Sequence, residues 1–352
     1  MHIQGKVFTV VILMLISSGA LTQEEHLATF TQSRLSEKSF PENVQFAVGI
    51  IDGDEKLTFG FEKDKKWNEL DNASSIFEIG SISKVFTSLL MTNAISEGYI
   101  NLTDTIQNDF EIDWKVEKPI TYKMLANHTS GLPRIPSNLL KDAILNKENP
   151  YAKYDEEALI KYLEKKMSLK SEPGEKYAYS NLGVGLLGYL VCEKLNLTYE
   201  EALQRYILEP WSMNNTSTNR VNIQGDMVTG LNKKGKATSN WDFDVFAGAG
   251  AIKSNVVDML KFIEAQIADT SEAVQLMQQK TFEGDQFHLA LGWHIIPSEN
   301  WLWHNGGTGG FKSSLAIDPK TNNGVVILTN ISSGHENARF VDDLVFMLLK
   351  RL

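Results

Sequence analysis

The chain has 352 residues, 42% of them hydrophobic and 22% charged, a composition that supports a sizeable core and excludes a disordered or fibrous protein. With 44 acidic against 34 basic residues its formal charge is −10, so a phosphate backbone is repelled and nucleic acid is not an expected partner. The seven histidines are scattered without a His-x-x-x-His and there is a single cysteine, so neither a metal site nor another cofactor is expected.

In chain order, the first segment stands apart from this average. Lys6 precedes an apolar run from Val7 to Ile16, followed by Ser17-Ser18-Gly19-Ala20. A basic start, a short apolar stretch and small residues at a cleavage point describe a secretory signal over residues 1–20. The run is short for a bilayer span, and no stable membrane anchor is expected. The protein is therefore expected outside the cytoplasm, secreted or periplasmic. Cys192, alone in an apolar helix-like run, reads as a buried small hydrophobe, so the core must hold the fold without a disulfide.

Leu27 to Leu35 reads as a modest amphipathic helix. Val44 to Ile51 and Lys56 to Phe61 flank Asp52-Gly53-Asp54, which reads as an antiparallel hairpin closed by a plain turn, since no further calcium-ligand spacing follows. From Ser81 to about Leu208 helical patterns dominate: one helix from Ser81 to Gly98, then Tyr122 to Ala126, Glu156 to Lys166, Leu182 to Lys194 and Tyr199 to Leu208. Ala247 to Ile252 is a small-residue turn leading through Ser254-Asn255 into a helix around Val257 to Ile267. Strands are expected at Ala290 to Ile296, Ser313 to Ile317 and Val325 to Thr329, and a last helix at Phe340 to Leu349. Strands at both ends with helices between them predict an α/β (α+β) fold. One antiparallel sheet is built from about 21–80 and 245–352, flanked by helices and carrying a large, mostly helical insertion at about 100–240.

Three short patterns carry chemistry. In Gly80-Ser81-Ile82-Ser83-Lys84 a hydroxyl and an amine stand three residues apart, on one face of the helix that follows. A serine is a weak nucleophile until its proton is removed, and a lysine removes it only when neutral, which burial and nearby cations favour. The plain alternative is that Ser81 is a helix cap and Lys84 a solvated side chain. In Tyr179-Ser180-Asn181 a phenol beside cations can serve as general base, and the amide can hold a lysine and a substrate carbonyl. Tyr99-Ile100-Asn101 has the same form, so this pattern is weak by itself. His304-Asn305-Gly306 opens a run with four glycines in the five residues after Asn305, which reads as backbone approached closely by a ligand or another strand.

In this order the patterns resemble the serine β-lactamase and penicillin-binding protein family, in its class C β-lactamase and D-alanyl-D-alanine carboxypeptidase branch. His128-Thr129-Ser130-Gly131-Leu132-Pro133, Glu209-Pro210-Trp211 and Gly248 to Phe262 extend the likeness over nearly the whole chain after the signal. The resemblance implies the β-lactamase/transpeptidase-like fold and an acyl-enzyme on Ser81, with Lys84 and Tyr179 sharing the proton work. It implies further that Asn181 positions Lys84 and the substrate amide, and that the N–H groups of Ser81 and Gly307 form an oxyanion hole worth about 3–4 kcal/mol per donor. His304, Asn305 and Gly306 would complete the catalytic and substrate-binding set. The third pattern departs from the Lys-Thr-Gly of class C enzymes: His304 resembles carboxypeptidase and esterase members, and Asn305 replaces the hydroxyl residue that helps bind a substrate carboxylate. Lys312 is a possible substitute, against the plainer reading of an exposed strand lysine. The implied substrate is a β-lactam or a D-Ala-D-Ala peptide. The alternatives are a small ester or D-amino-acid amide, or a penicillin-binding sensor that acylates without turnover.

Overall fold

The computed structural model describes residues 22–109 and 111–352; the signal segment read at residues 1–20 lies outside them. The first helix, α1 (Gln23–Ser36), starts in a capping box in which Thr22 and Glu25 satisfy each other's backbone amides. The expected hairpin follows as β1 (Val44–Asp52) and β2 (Glu55–Lys63), then short strands β3 (Trp67–Glu69) and β4 (Phe77–Glu78). A 3₁₀ turn at Gly80–Ile82 leads into α2 (Ser83–Ser96), so Ser81 lies just before the helix and not within its first turn. The helical region holds α3 (Ile106–Asp109), α4 (Tyr122–Ala126), α5 (Leu140–Leu145), α6 (Glu156–Lys165), α7 (Asn181–Leu195) and α8 (Tyr199–Leu203). After the helical turn α9 (Ala247–Gly250) come β5 (Lys253–Ser254), α10 (Val256–Ala268) and α11 (Glu272–Gln278). The chain then forms β6 (His288–Leu289), β7 (His294–Ile296), β8 (Trp301–Gly307), β9 (Lys312–Asp318), β10 (Asn323–Thr329) and α12 (Ala338–Leu349).

Eight strands form one antiparallel sheet in the order β3-β2-β1-β10-β9-β8-β7-β6, so strands from the two ends of the chain meet at β1 and β10. Alternation along β1 sets the layers. Phe46, Val48 and Ile50 face a core shared with Leu27 and Leu35 of α1 and Leu344 and Leu348 of α12. Ala47 and Ile51 face the opposite core, shared with Phe86 of α2 and Phe262 of α10, whose rings stack at 4.1 Å. Among the described residues no helix is long and apolar enough to cross a membrane. Cys192 is buried and unpaired.

Two expectations need correction. The strand read across Ala290 to Ile296 is the turn and second arm of a hairpin: Gly292 sits at φ 79 and His288–Leu289 pairs with His294–Ile295. The glycine-rich run beginning at Trp301 is itself a strand, β8, paired to β7 and β9, because its backbone, not its side-chain pattern, carries the ladder.

Candidate active site

The turn that carries Ser81 is placed by a close crossing of two backbones. Gly80 has φ 51, and a methyl group there would lie 2.5 Å from the Gly307 amide nitrogen. Across the same contact a methyl at Gly306 would sit 1.9 Å from the Ile79 carbonyl oxygen. Only glycines allow the approach, which brings the backbone at Ser81 beside the end of β8. The start of α2 is then pinned to the small-residue turn. Thr87 Oγ1 donates to the Gly248 carbonyl at 2.7 Å, and the Ile252 N–H donates to Ser83 Oγ at 3.1 Å.

Lys84 Nζ lies 3.0 Å from Ser81 Oγ and donates to the Ala249 carbonyl at 2.6 Å. Its side chain is fully buried among the polar residues of the core. Burial, reinforced by the Arg134 guanidinium, holds the ammonium pKa well below the ordinary lysine value. A neutral amine spends one N–H on Ala249 and keeps its lone pair for the Ser81 hydroxyl. That is the protonation state a base requires.

Tyr179 is held by a stitched segment. Ser180, the N-cap of α7, accepts from the Gly183 N–H at 2.8 Å and donates to the Pro133 carbonyl at 2.7 Å. The Ser180 N–H donates to His128 Nδ1 at 3.2 Å. Lys84 Nζ and the Arg134 guanidinium carbon stand 5.1 and 4.9 Å from the centre of the Tyr179 ring, within cation–π range. Burial nevertheless pushes the Tyr179 phenol pKa upward, against the opposing pull of the Ser81 side chain and Arg134. Burial outweighs the cations, so the neutral phenol is favoured at Tyr179.

The remaining residues of the three patterns separate into different roles. Asn181 does not bond Lys84: its Nδ2 donates to the Tyr151 hydroxyl at 2.9 Å, and its Oδ1 has no partner. His304 is buried on β8 with its ring centre 6.5 Å from that of Tyr179. Burial, then the nearby His294 and Lys84, hold its pKa well below the ordinary value. Its Nδ1 bonds the Asn305 carbonyl at 2.7 Å and its Nε2 is buried without a partner. Neutral histidine therefore stands where a lysine would place a charge.

Lys312 is buried, not an exposed strand lysine. It makes an ion pair with Asp342 of α12, at 2.8 and 3.0 Å to the two carboxylate oxygens, and Asn305 Nδ2 donates to the same carboxylate at 2.9 Å. Both groups expected to meet a substrate carboxylate are thus already engaged by Asp342. Exchange of Asp342 for alanine leaves a buried ammonium unpaired, and the expected loss is about 3–5 kcal/mol of unfolding free energy. A shift in the urea midpoint measures it; an unchanged midpoint would show that Lys312 sheds its proton at no cost.

Two hollows open onto Ser81 and share Arg134, Gly307 and Ser333 at their junction. The larger, of about 500 Å³, is polar and includes Tyr179, Asn305, Lys312, Arg339 and Asp342. The smaller, of about 280 Å³, includes Leu139, Ala143, Tyr151, Trp241 and Phe243. Sequence reasoning missed Arg134, Tyr151, Trp241 and Asp342; Arg134 had a signal, since it directly follows Gly131-Leu132-Pro133.

Comparison with known proteins gives the family and the fold. The family model described as Beta-lactamase matches residues 37–349. Protein flp of Staphylococcus aureus (strain MW2) is 26% identical over 272 residues, 73% of this chain and 53% of its own length, so the chain spans about half the length of that curated relative. A Beta-lactamase of Escherichia coli (strain K12) is 25% identical over 299 residues, covering 73% of this chain and 75% of the relative. Among solved structures, a Beta-Lactamase/D-Alanine Carboxypeptidase from Pseudomonas syringae superposes with a TM-score of 0.75 at 20% identity, covering 92% of this chain and 99% of that one. A class C beta-lactamase gives 0.76 at 18% identity, covering 94% and 96%. These two share the fold. With the family model running from the end of α1 to the last residue of α12, the chain belongs to the Beta-lactamase family.

Proposed function

We propose that the protein is an exported serine hydrolase that forms an acyl-enzyme on Ser81, acting on β-lactam amides or D-Ala-D-Ala peptides. The observation that carries this reading is the contact of a fully buried Lys84 amine with the Ser81 hydroxyl at 3.0 Å. Lys84 takes the Ser81 proton as the oxygen attacks the carbonyl carbon. The oxyanion is received by the N–H groups of Ser81 and Gly307. Collapse expels the leaving group, which takes its proton from the Tyr179 phenol, and Lys84 re-protonates Tyr179. Water then attacks the acyl-enzyme by the reverse route, with Lys84 again as base. Export rests on the signal-like composition of residues 1–20.

One observation favours a second reading within the family. The carboxylate of Asp342 engages both Lys312 and Asn305, which supports hydrolysis of small esters or D-amino-acid amides over substrates chosen for a carboxylate. Intact mass against time, with a penicillin and with its loss followed in parallel, separates the two. A transient adduct with steady consumption is the result expected of a β-lactamase, and a lasting adduct that of a penicillin-binding peptidase or sensor. A protein labelled at Ser81 by a fluorophosphonate but not by penicillin is the ester or amide hydrolase.

Exchange of His304 for lysine tests the neutral histidine. A cation at this position lowers the proton affinity of Lys84 further, so the acidic limb of kcat/KM against pH is expected to move downward by about one unit. An unmoved limb would remove His304 from the electrostatics of the base.

A further inference from the structure

The two amides assigned to the oxyanion, at Ser81 and Gly307, belong to segments more than 200 residues apart in the chain. The glycines at their crossing permit the approach and supply nothing to hold it. One buried acid lies against both segments. Glu78, three residues before Ser81, is 3% exposed, and its backbone is fixed on β4, which pairs Glu78 with Lys253. The following residue, Ile79, donates its N–H to the Ile252 carbonyl at 3.1 Å and accepts from Ser313 Oγ at 2.8 Å.

The Glu78 carboxyl group turns toward what surrounds Ser81. Its Oε1 accepts the backbone N–H of Trp241 at 2.7 Å. Burial pushes its pKa up, against the pull of the Thr308 hydroxyl, the Lys253 charge and the Asn240 amide. Thr308 directly follows Gly307. Glu78 Oε2, Thr308 Oγ1 and Asn240 Nδ2 are each buried without a bonded partner, so no other group claims them. A buried polar atom left unpaired costs about 1–3 kcal/mol, and that cost draws these three together. Lys253 does not use the acid as a structural partner: its Nζ donates to the Thr218 and Ala251 carbonyls at 3.3 Å each.

We propose that Glu78 is the positioning residue of the oxyanion hole. Its carboxyl group ties the Ser81 turn to Thr308 and to the Trp241 backbone, and so holds the Ser81 and Gly307 amides at the spacing a developing oxyanion requires. The proposal rests on Ser81 being the nucleophile and adds what sets the geometry of its donors. Donors displaced by a fraction of an ångström lose much of their effect, because the stabilisation depends on their being aimed in advance.

The test compares Glu78→Gln and Glu78→Asp with the wild type. Two rates are read for each labelled site: hydrolysis of p-nitrophenyl acetate, and inactivation by a fluorophosphonate, whose phosphoryl oxygen occupies the same hole. Glutamine keeps the length, with an oxygen for the Trp241 N–H and an N–H for Thr308, and drops the charge. Aspartate keeps the charge and withdraws it by one methylene. In Glu78→Asp both kcat and the inactivation rate are expected to fall in the same proportion, by about 10–100-fold. KM is expected to stay, since the same amides serve acylation and deacylation. Glu78→Gln is expected to remain within about 5-fold of the wild type. If the aspartate variant does not fold, Thr308→Val removes the hydroxyl at nearly constant shape and is expected to lower both rates together. A lowered urea midpoint with both rates unchanged is the mark of a merely structural acid and overturns the proposal. So does a larger loss in Glu78→Gln than in Glu78→Asp, which would assign the acid to the charge of Lys253, or a fall in kcat that fluorophosphonate inactivation does not share. Failure of the underlying reading looks different: a wild-type protein that the fluorophosphonate leaves unlabelled at Ser81.

Discussion

Exchange of Ser81 for alanine is expected to abolish covalent labelling by a fluorophosphonate and to lower turnover of any substrate at least about 10⁴-fold. The effect is large because Ser81 has the Lys84 amine at 3.0 Å, whereas Ser333, the other serine at the junction of the hollows, donates its hydroxyl to the Thr308 carbonyl at 3.1 Å. Ser83 and Ser88 are buried on α2, and Ser83 Oγ is committed to the Ile252 N–H. Residual turnover would come from the oxyanion donors acting on water. Intact mass after labelling is the measurement, and an undiminished adduct would transfer the nucleophile elsewhere.

Exchange of Lys84 for methionine keeps the buried, unbranched shape and removes the base; a loss of about 10³-fold or more in kcat/KM is expected. The pH dependence gives the sign. The active form is the neutral amine, whose fraction rises as pH climbs through a pKa held well below 10.5 by burial and Arg134. Wild-type activity therefore falls on the acidic side, and the residual activity of the methionine variant should lose that limb. Stability follows the same proton. Between the folded and the unfolded pKa the unfolded chain holds a proton that the folded chain has released, so stability rises with pH across that interval. The methionine variant should lose this slope as well, which urea titrations at a series of pH values would read.

Much of this site could be read from the chain because side-chain types announced it. The hydroxyl and amine three residues apart, the Tyr-x-Asn pattern before an apolar helix and the glycine-rich run after His304 lie at the same hollows. What could not be read is contributed by atoms without residue identity. The acceptor that fixes Lys84 is the backbone carbonyl of Ala249, 165 positions away, and any residue carries such a carbonyl. The contact expected between Asn181 and Lys84 is absent for a related reason: Tyr151, in a loop with no helical or strand period, accepts from its amide nitrogen. Strand β8 was obscured because glycines at positions 306 and 307 erase the alternation by which half-buried strands are recognised, although they are what lets β8 approach Ile79. The charge of Lys312 was legible and its burial was not, since the partner carboxylate comes from α12 at the far end of the chain.

The meeting of β1 and β10 at the centre of the sheet has a consequence for how the protein comes into being. Val48 pairs with Ile327, so the central ladder closes a loop of nearly the whole polypeptide, and contact order of this kind slows folding. A nascent chain that has made only β1 and β2 holds an isolated hairpin, marginal in water by itself. Ser81 emerges early in translation, yet the amide of Gly307 beside it arrives only with β8. Hydrolysis is therefore expected to switch on in a single step late in synthesis, and truncated products that end before residue 301 should be inert toward a serine probe.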